Sequence, residues 1–558
     1  MSRPRHLRRG ACAQRGMALV LVLSLAAIMS AYLVANGLSK TTAEVQNARN
    51  QKTLQALQEA KAALIGYAAS QALSSGANDQ PGSLPCPDTD NDGNADACGT
   101  GASGRTGRLP WKTLGTSDLR DANGEPLWYS LSANFRTASG TTIINSDTQG
   151  QISIYDDQYS TTTPVLSNVV AVVIAPGAAV NGQNRTSNTI ANFLDCRNNT
   201  LTDAFSLSLP PAGSGSTCPH TAADAATDFF NDRVLAITHA DLFSVVEPMV
   251  ASRIERDLKQ YFATYQSEWG AYPFAATFSN PGTSTYTGTI NEQWGLLPVT
   301  TSAVAWSNPA GTSPVDTNAT AGDLTAATTC AASTSTQIFC DLYYTNRPTI
   351  TISGTLLNVG MSFARLPVTG DVTLSNLRGT ATPTPTYPGA LALPLAASGS
   401  AAVQLRVRLP AHPGFGTGLV RILIDVPSYS ALTSPADPYA GWFIRNQWYR
   451  QVYYAVSSAL VPGGSGTCTQ RPAPPAAPVS PSCLLVSNLP ASYASNADKQ
   501  LILVFAGRAL NGAARPSATL SDYLEGANIT SPTGPLYAYE HRSGRATSIN
   551  DRVVVIAP

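Results

Sequence analysis

The chain is poor in charge. Asp, Glu, Lys and Arg make up only 13% of its 558 residues, about half of the ~25% usual for a soluble protein. Basic and acidic residues balance at 35 each. Without a positive surplus there is no field to hold a polyanion by counterion release, so nucleic-acid binding is not expected. Histidine is scarcer still: His6, His220, His239, His412 and His541 are the full set, and none lies in H-E-x-x-H. There is no G-x-x-x-x-G-K-[ST], and the Gly/Ser runs at Gly213 and Gly463 lack the G-x-S-x-G spacing of a nucleophile elbow. These absences remove the common zinc-hydrolase, P-loop and serine-hydrolase chemistries, and no enzymatic activity is expected.

What the chain does have is length for about three to five domains, with 43% hydrophobic residues among Ser, Thr, Asn and Gln. That mixture suits a loop-rich, β-containing protein outside the cytoplasm. The charge balance also hides an asymmetry. Residues 1–16 carry Arg3, Arg5, Arg8, Arg9 and Arg15 and no acid, and Met17 to Gly37 is uncharged. At 1.5 Å per residue such a run matches the ~30 Å of a bilayer core. The arginines before it place the N-terminus in the cytoplasm and the bulk outside.

A cleaved signal peptide would need a small-x-small site, for which Ser24-Leu25-Ala26 is the candidate. A plain signal anchor fits the hydropathy as well. The third reading starts from Arg15-Gly16-Met17, where a basic leader ends in Gly before an apolar run that continues into a polar, Ala-rich helical stretch. This junction resembles the prepilin leader of type IV pilins and type II secretion pseudopilins. The resemblance implies that a membrane prepilin peptidase cuts between Gly16 and Met17 and that the new N-terminus is methylated. Most such proteins carry Glu at the fifth mature position, where this chain has Leu21. The subunits that lack that Glu are similar to this chain in another respect, being large minor pseudopilins at the filament tip.

An internal repeat organises the rest. Pro85 and Pro110 stand 25 residues apart, as do Pro273 and Pro298. Leu127–Ser132 then corresponds to Val452–Ser457, and Asn181-Gly182-x-x-Arg185 to Asn511-Gly512-x-x-Arg515. Twelve residues after each Asn comes Phe193-Leu194 or Tyr523-Leu524, and each copy closes on Asn-Asp-Arg-Val, at Asn231 and Asn550. A helix over 241–266 is expected to lead the second copy, with Leu242, Val246, Val250, Ile254, Leu258 and Phe262 on one face, and Pro248 is expected to start or kink it. The second copy also holds an insert of short alternating runs, which suggests a β-sandwich.

The expected fold is therefore α+β: a leader (1–16), a transmembrane and stalk helix (17–72), a first module (73–240), a second module (241–299 and 441–558) and a β-rich insert (300–440). The modules are expected to be tandem and pilin-like. Apart from Cys12 in the leader, the cysteines fall as Cys86/Cys98, Cys196/Cys218, Cys330/Cys340 and Cys468/Cys483. Outside the cytoplasm and without zinc spacing they favour disulfides; nearest-neighbour pairing rests on locality alone, and other connectivities stay open.

The densest chemical motif is Asp88-Thr-Asp90-Asn-Asp92-Gly93-Asn94-Ala-Asp96. Alternating acids with Gly at the sixth place are the pattern of a Ca²⁺ loop, with Asp88, Asp90, Asp92, Asn94 and Asp96 as ligands. The twelfth position is Gly99 rather than the bidentate Glu, and a solvated acidic turn is the other reading. Trp442, Trp448, Tyr449, Tyr453 and Tyr454 form either a glycan platform or packing.

The function expected from the resemblance is a non-catalytic minor pilin or pseudopilin. It would be single-pass in a bacterial inner membrane with its bulk in the periplasm, and assembled into a filament that reaches the cell surface. Its partners would be the membrane, the prepilin peptidase and other pilins or pseudopilins, and its role would be assembly initiation, secretion or adhesion. The alternative is a membrane-anchored periplasmic or surface binding protein that does not polymerise.

Overall fold

The computed structural model describes residues 13–73, 79–99, 101–137, 142–180, 182–213, 228–300, 441–469, 482–510, 512–530, 538–542 and 549–558. It also describes a few positions at 218–224 and the strand segments of the insert, several of those as backbone only. Asn181 and Asn511 lie outside the described residues, as do the side chains at Gly16 and Met17 and most of those in the apolar run that follows.

Backbone helix α1 covers Ala13–Ser70. Its last turns explain themselves: Ala56, Leu57, Ala60, Leu64 and Ala68 are buried at three- and four-residue steps, and the alanines let a neighbour approach closely. The first four-stranded antiparallel sheet consists of β1 (Thr106–Arg108), β2 (Trp128–Leu131), β5 (Ala171–Ala175) and β7 (Arg233–Ile237), in that order. A small sheet of β3 (Ile152–Tyr155), β4 (Leu166–Val169) and β6 (Ala204–Ser206) lies beside it. Trp128, Ile152, Ile154, Val172, Phe193 and Phe205 form a second apolar core there.

Helix α2 (His239–Trp269) opens with a capping box: the Asp241 N–H donates to Thr238 Oγ1 at 3.2 Å, and the Thr238 N–H to Asp241 Oδ2 at 2.9 Å. It ends at Gly270, whose φ of 67° only glycine adopts cheaply. The cap, not Pro248, sets its start, and Pro248 lies inside the helix. Leu242, Val246, Val250, Ile254, Leu258 and Phe262 are all fully buried.

The second four-stranded sheet comprises β8 (Trp294–Leu296), β9 (Val452–Val456), β11 (Leu501–Phe505) and β13 (Arg552–Ala557), with the strand order of the first. The parallel pair β10 (Leu485–Ser487) and β12 (Ala538–Glu540) corresponds to β3 and β6. Two Tyr hydroxyls confirm the register, Tyr129 donating to the Pro85 carbonyl and Tyr454 to that of Pro273. Within the insert, Thr349–Leu357 pairs with Ser400–Arg408 in one antiparallel sheet, and Gln337–Tyr344 with Gly418–Asp425 in another.

These observations correct the expected fold. Among the described residues no helix is long and apolar enough to cross a membrane. The membrane and stalk element expected at 17–72 is thus not supported: the buried residues of α1 among those described begin at Thr53, and the helix packed into the body along its whole length is α2, at 31 residues. The two modules repeat one strand order but do not keep separate cores, and nothing among the described residues marks them as pilin-like. Helix α1 packs on β5 and β7, α2 packs on β13, and the two helices pack on each other. Residues of both halves fall in one continuous core, because each helix has apolar surface that its own sheet does not cover. The suggested aromatic platform is core as well: Trp442, Trp448, Tyr453 and Tyr454 are buried, and Tyr449 packs against them.

The seam carries a buried ion cluster. Arg253 on α2 donates to both oxygens of Asp79, at 2.6 and 2.5 Å, and to Asp257 at 3.0 Å. It also lies 4.3 Å from the centroid of the Trp442 ring, whose Nε1–H donates to Asp257. The side chains of Arg253 and Asp79 are 2% and 4% exposed. Removing one partner of such a pair leaves an uncompensated buried charge. Asp79→Ala is therefore expected to cost about 3–5 kcal/mol, read as a lowered urea midpoint at unchanged slope.

Candidate functional site

The acidic loop hangs between a disulfide and the edge of the first sheet. Cys86 and Cys98 are bonded, as are Cys196 and Cys218, Cys330 and Cys340, and Cys468 and Cys483. The Asp88 N–H donates to the Arg108 carbonyl at 3.0 Å and the Arg108 N–H donates back to the Asp88 carbonyl at 2.7 Å, which sews the loop to β1. Gly93 has a φ of +89°, and a Cβ there would meet the Trp111 ring at 2.7 Å. Both conformation and space thus demand glycine.

Asp88 is the loop's anchor. Its carboxylate is buried and accepts the N–H groups of Asn91 and Gly93 at 2.6 and 2.7 Å. Burial raises its pKa; those bonds work against the rise, and the charges of Asp90 and Asp92 add to it. Asp96 accepts the Thr89 hydroxyl and N–H at 2.5 and 2.6 Å, and these bonds lower its pKa.

Carboxylate oxygens of Asp88, Asp90 and Asp96 lie within 4.8 Å of one another. Asp92 is not gathered with them. The Asp92 carboxylate instead accepts the Asn94 N–H at 2.6 Å and the Asn94 side-chain amide at 2.9 Å, and Lys112 donates to the Asp92 carbonyl. Three hard oxygen donors around one point suit a divalent cation of the Ca²⁺ kind, which would offset the burial and, after it, the neighbouring charges that raise the Asp88 pKa. Ca²⁺ takes six to eight oxygens, so water or backbone carbonyls would have to complete the set.

A second constellation occurs twice. In the first half the Arg185 guanidinium donates to the Gly177 and Asn192 carbonyls and lies 4.8 Å from the Phe193 ring centroid. In the second, Arg515 donates to the Gly507 and Asp522 carbonyls and lies 4.5 Å from Tyr523. Beside each arginine is a reciprocal carboxylate pair. Asp195 accepts the N–H groups of Asn231 and Asp232 at 2.8 and 3.2 Å, while Asp232 accepts the Asp195 N–H at 2.7 Å and the Asn198 amide at 2.9 Å. Glu525 and Asp551 repeat the arrangement with Asn550 and Asn528.

These pairs close the repeated turn rather than perform chemistry, since each oxygen that bonds is committed to backbone or amide. Sequence reasoning used the neighbouring Asn-Gly-x-x-Arg and Asn-Asp-Arg-Val runs as landmarks and missed the acid. The available signal was an acid directly after the aromatic-Leu pair in both copies, at Asp195 and Glu525.

Compared with protein-family models, with curated proteins and with solved structures, the chain matches none.

The carboxylate pair has a pH consequence. Burial, then the charge of Asp195, raises the Asp232 pKa well above its ordinary 3.8. The folded state therefore holds a proton that the unfolded chain releases above pH 3.8, and stability falls as pH rises from there toward the folded pKa. Asp232→Asn keeps an acceptor for both bonds without the charge. It is expected to raise the urea midpoint at pH 7 and to flatten the decline from pH 4 to 7, measured as a midpoint-against-pH series.

Proposed function

We propose that this chain is a non-catalytic minor subunit of a type IV pilus or type II secretion filament, acting at or near the tip in assembly initiation, secretion or adhesion. The observation that carries the reading is the Arg15-Gly16-Met17 junction between a five-arginine leader and an uncharged run. Four disulfides in the body support operation outside a reducing cytoplasm. Leu21 in place of the usual acid, and the size of the body beyond residue 70, favour the tip over the shaft, because both oppose regular stacking of copies.

The test is the mature N-terminus. Mass spectrometry is expected to find a chain beginning at a methylated Met17, and Gly16→Leu is expected to retain the leader. A chain beginning at Met1, or after Ala26, removes the filament reading and leaves the anchored or secreted binding protein.

The acidic loop in this reading is a Ca²⁺ site that stiffens the region between Cys86 and Cys98, held by Asp88, Asp90 and Asp96. With the twelfth-position Glu replaced by Gly99, the affinity belongs to the weak extracellular range of ~10⁻⁴ to 10⁻³ M. Titration calorimetry is expected to show calcium heat that Asp90→Ala abolishes. No calcium heat from protein with the Cys86–Cys98 bond intact would rule the site out.

A further inference from the structure

The repeat makes each half a control for the other. Counting from Tyr129 and Tyr454, the position of Glu125 in the first half is held by Arg450 in the second. Glu125 pairs with Arg185 at 3.4 Å. In the second half that carboxylate has become a guanidinium, and Arg515, the counterpart of Arg185, takes its acid from the other half: Asp147, at 3.4 Å. Gln451 bridges the pair, donating to Asp147 Oδ2 at 2.5 Å and accepting from Arg515 at 3.2 Å. Two guanidinium groups therefore stand near one carboxylate, and of the two Arg515 is within ion-pair distance of it. Burial raises the Asp147 pKa, and the charges of Arg515 and, more weakly, Arg450 oppose that rise.

Arg450 is the uncommitted member. Among the described residues it has no ion-pair partner within 4 Å, and its Nε is buried without a hydrogen-bond partner. It lines a cleft of about 320 Å³ where the first-half loop 143–148 meets the second half, and also an adjoining hollow of about 210 Å³. The cleft is open to solvent. Its other walls are the Asp147–Arg515 pair, Ile143, Tyr523, Pro281 and Pro516, and the side chains of Asn145, Thr148 and Gln451, whose N–H and O–H donors are already given to Asn446, Ile143 and Asp147. The volume is at the small end of ligand pockets, the range for one sugar residue or a comparable group.

We propose that this cleft binds an acidic sugar, a uronic or sialic acid residue, with its carboxylate on Arg450. A planar guanidinium matches a carboxylate two-to-two, and the surplus here is a single positive charge, as one carboxylate requires. The side-chain oxygens of Asn145, Thr148 and Gln451 each accept one bond and keep a lone pair that a ring hydroxyl can donate to, and a tyrosine with two prolines gives the ring apolar faces to lie against. The site is built by the junction of the halves, not by either alone, and its argument does not depend on membership of a filament.

The experiment is ligand binding to the full-length protein by calorimetry and saturation-transfer NMR, with N-acetylneuraminic acid and galacturonic acid as probes. Galactose and the methyl ester of galacturonic acid are the uncharged counterparts. The acids are expected to bind at least about tenfold more tightly than the uncharged sugars. Arg450→Gln is expected to erase that preference and Arg450→Lys to restore part of it. Arg450 is partly exposed, so both variants should fold, and an unchanged melting temperature checks that they do. The proposal is overturned by no binding of either acid, by equal binding of acid and uncharged sugar, or by a preference that survives Arg450→Gln. It is equally overturned if N-acetylglutamate amide binds as tightly as the sugars, which would make the cleft a peptide-carboxylate site.

Discussion

Arg253 carries a guanidinium group and has 2% of its side chain in water. A guanidinium so placed is tolerated only if every side of it is answered. The answers come from three parts of the chain: Asp79 from the loop after α1, Asp257 one turn along α2, and the ring of Trp442 where the chain returns from the insert. Asn446 continues the cluster, donating to the Asp79 carbonyl at 3.1 Å and accepting from Ile144 at 3.4 Å. The approach of the two halves is thus fixed by a polar network inside an otherwise apolar seam. Apolar contact alone would allow the helices to slide, whereas directional bonds to a buried charge do not.

The same seam explains why two copies of one plan are not interchangeable. The elements that close each turn are kept: an arginine over an aromatic ring, a pair of buried carboxylates, and an Asn whose side chain bonds a loop carbonyl, Asn231 to Ala178 and Asn550 to Arg508. Gly177 and Gly507 match too, with φ of 68° and 61°, and a Cβ at either would strike that Asn. What differs lies where one half touches the other. Loop 144–148 has no reason to resemble its counterpart, since it contacts Asn446, Gln451 and Arg515 of the second half. Divergence at the junction leaves Arg515 without the acid that position 450 would otherwise supply, and Asp147 from the first half takes its place.

Legibility in the sequence followed range. The face of α2 was readable because six apolar residues at four-residue steps describe a buried helix stripe whatever packs on it, and all six are buried. The repeat was readable because spacing survives when side chains change. The acidic loop was readable as a motif, yet its membership was not: alternation suggested five ligands, while Asn94 satisfies Asp92 within the loop and leaves Asp88, Asp90 and Asp96 together. A backbone pattern cannot say which carboxylate finds a nearer donor.

The sequence by itself determined the local matters: the helix stripe, the strand runs, the turns that require glycine, and cysteines close enough along the chain to bond. Only the tertiary structure decided that the halves share one core, that Arg253 finds Asp79 across 174 positions, and that Asp147 answers Arg515 across 368. The physical reason is that a periodic pattern reports whether a residue faces an interior and never which interior. Burial of apolar surface is non-directional, so the partner of each face is selected by the few buried charges and amides whose bonds have direction, and these meet only after the chain has folded.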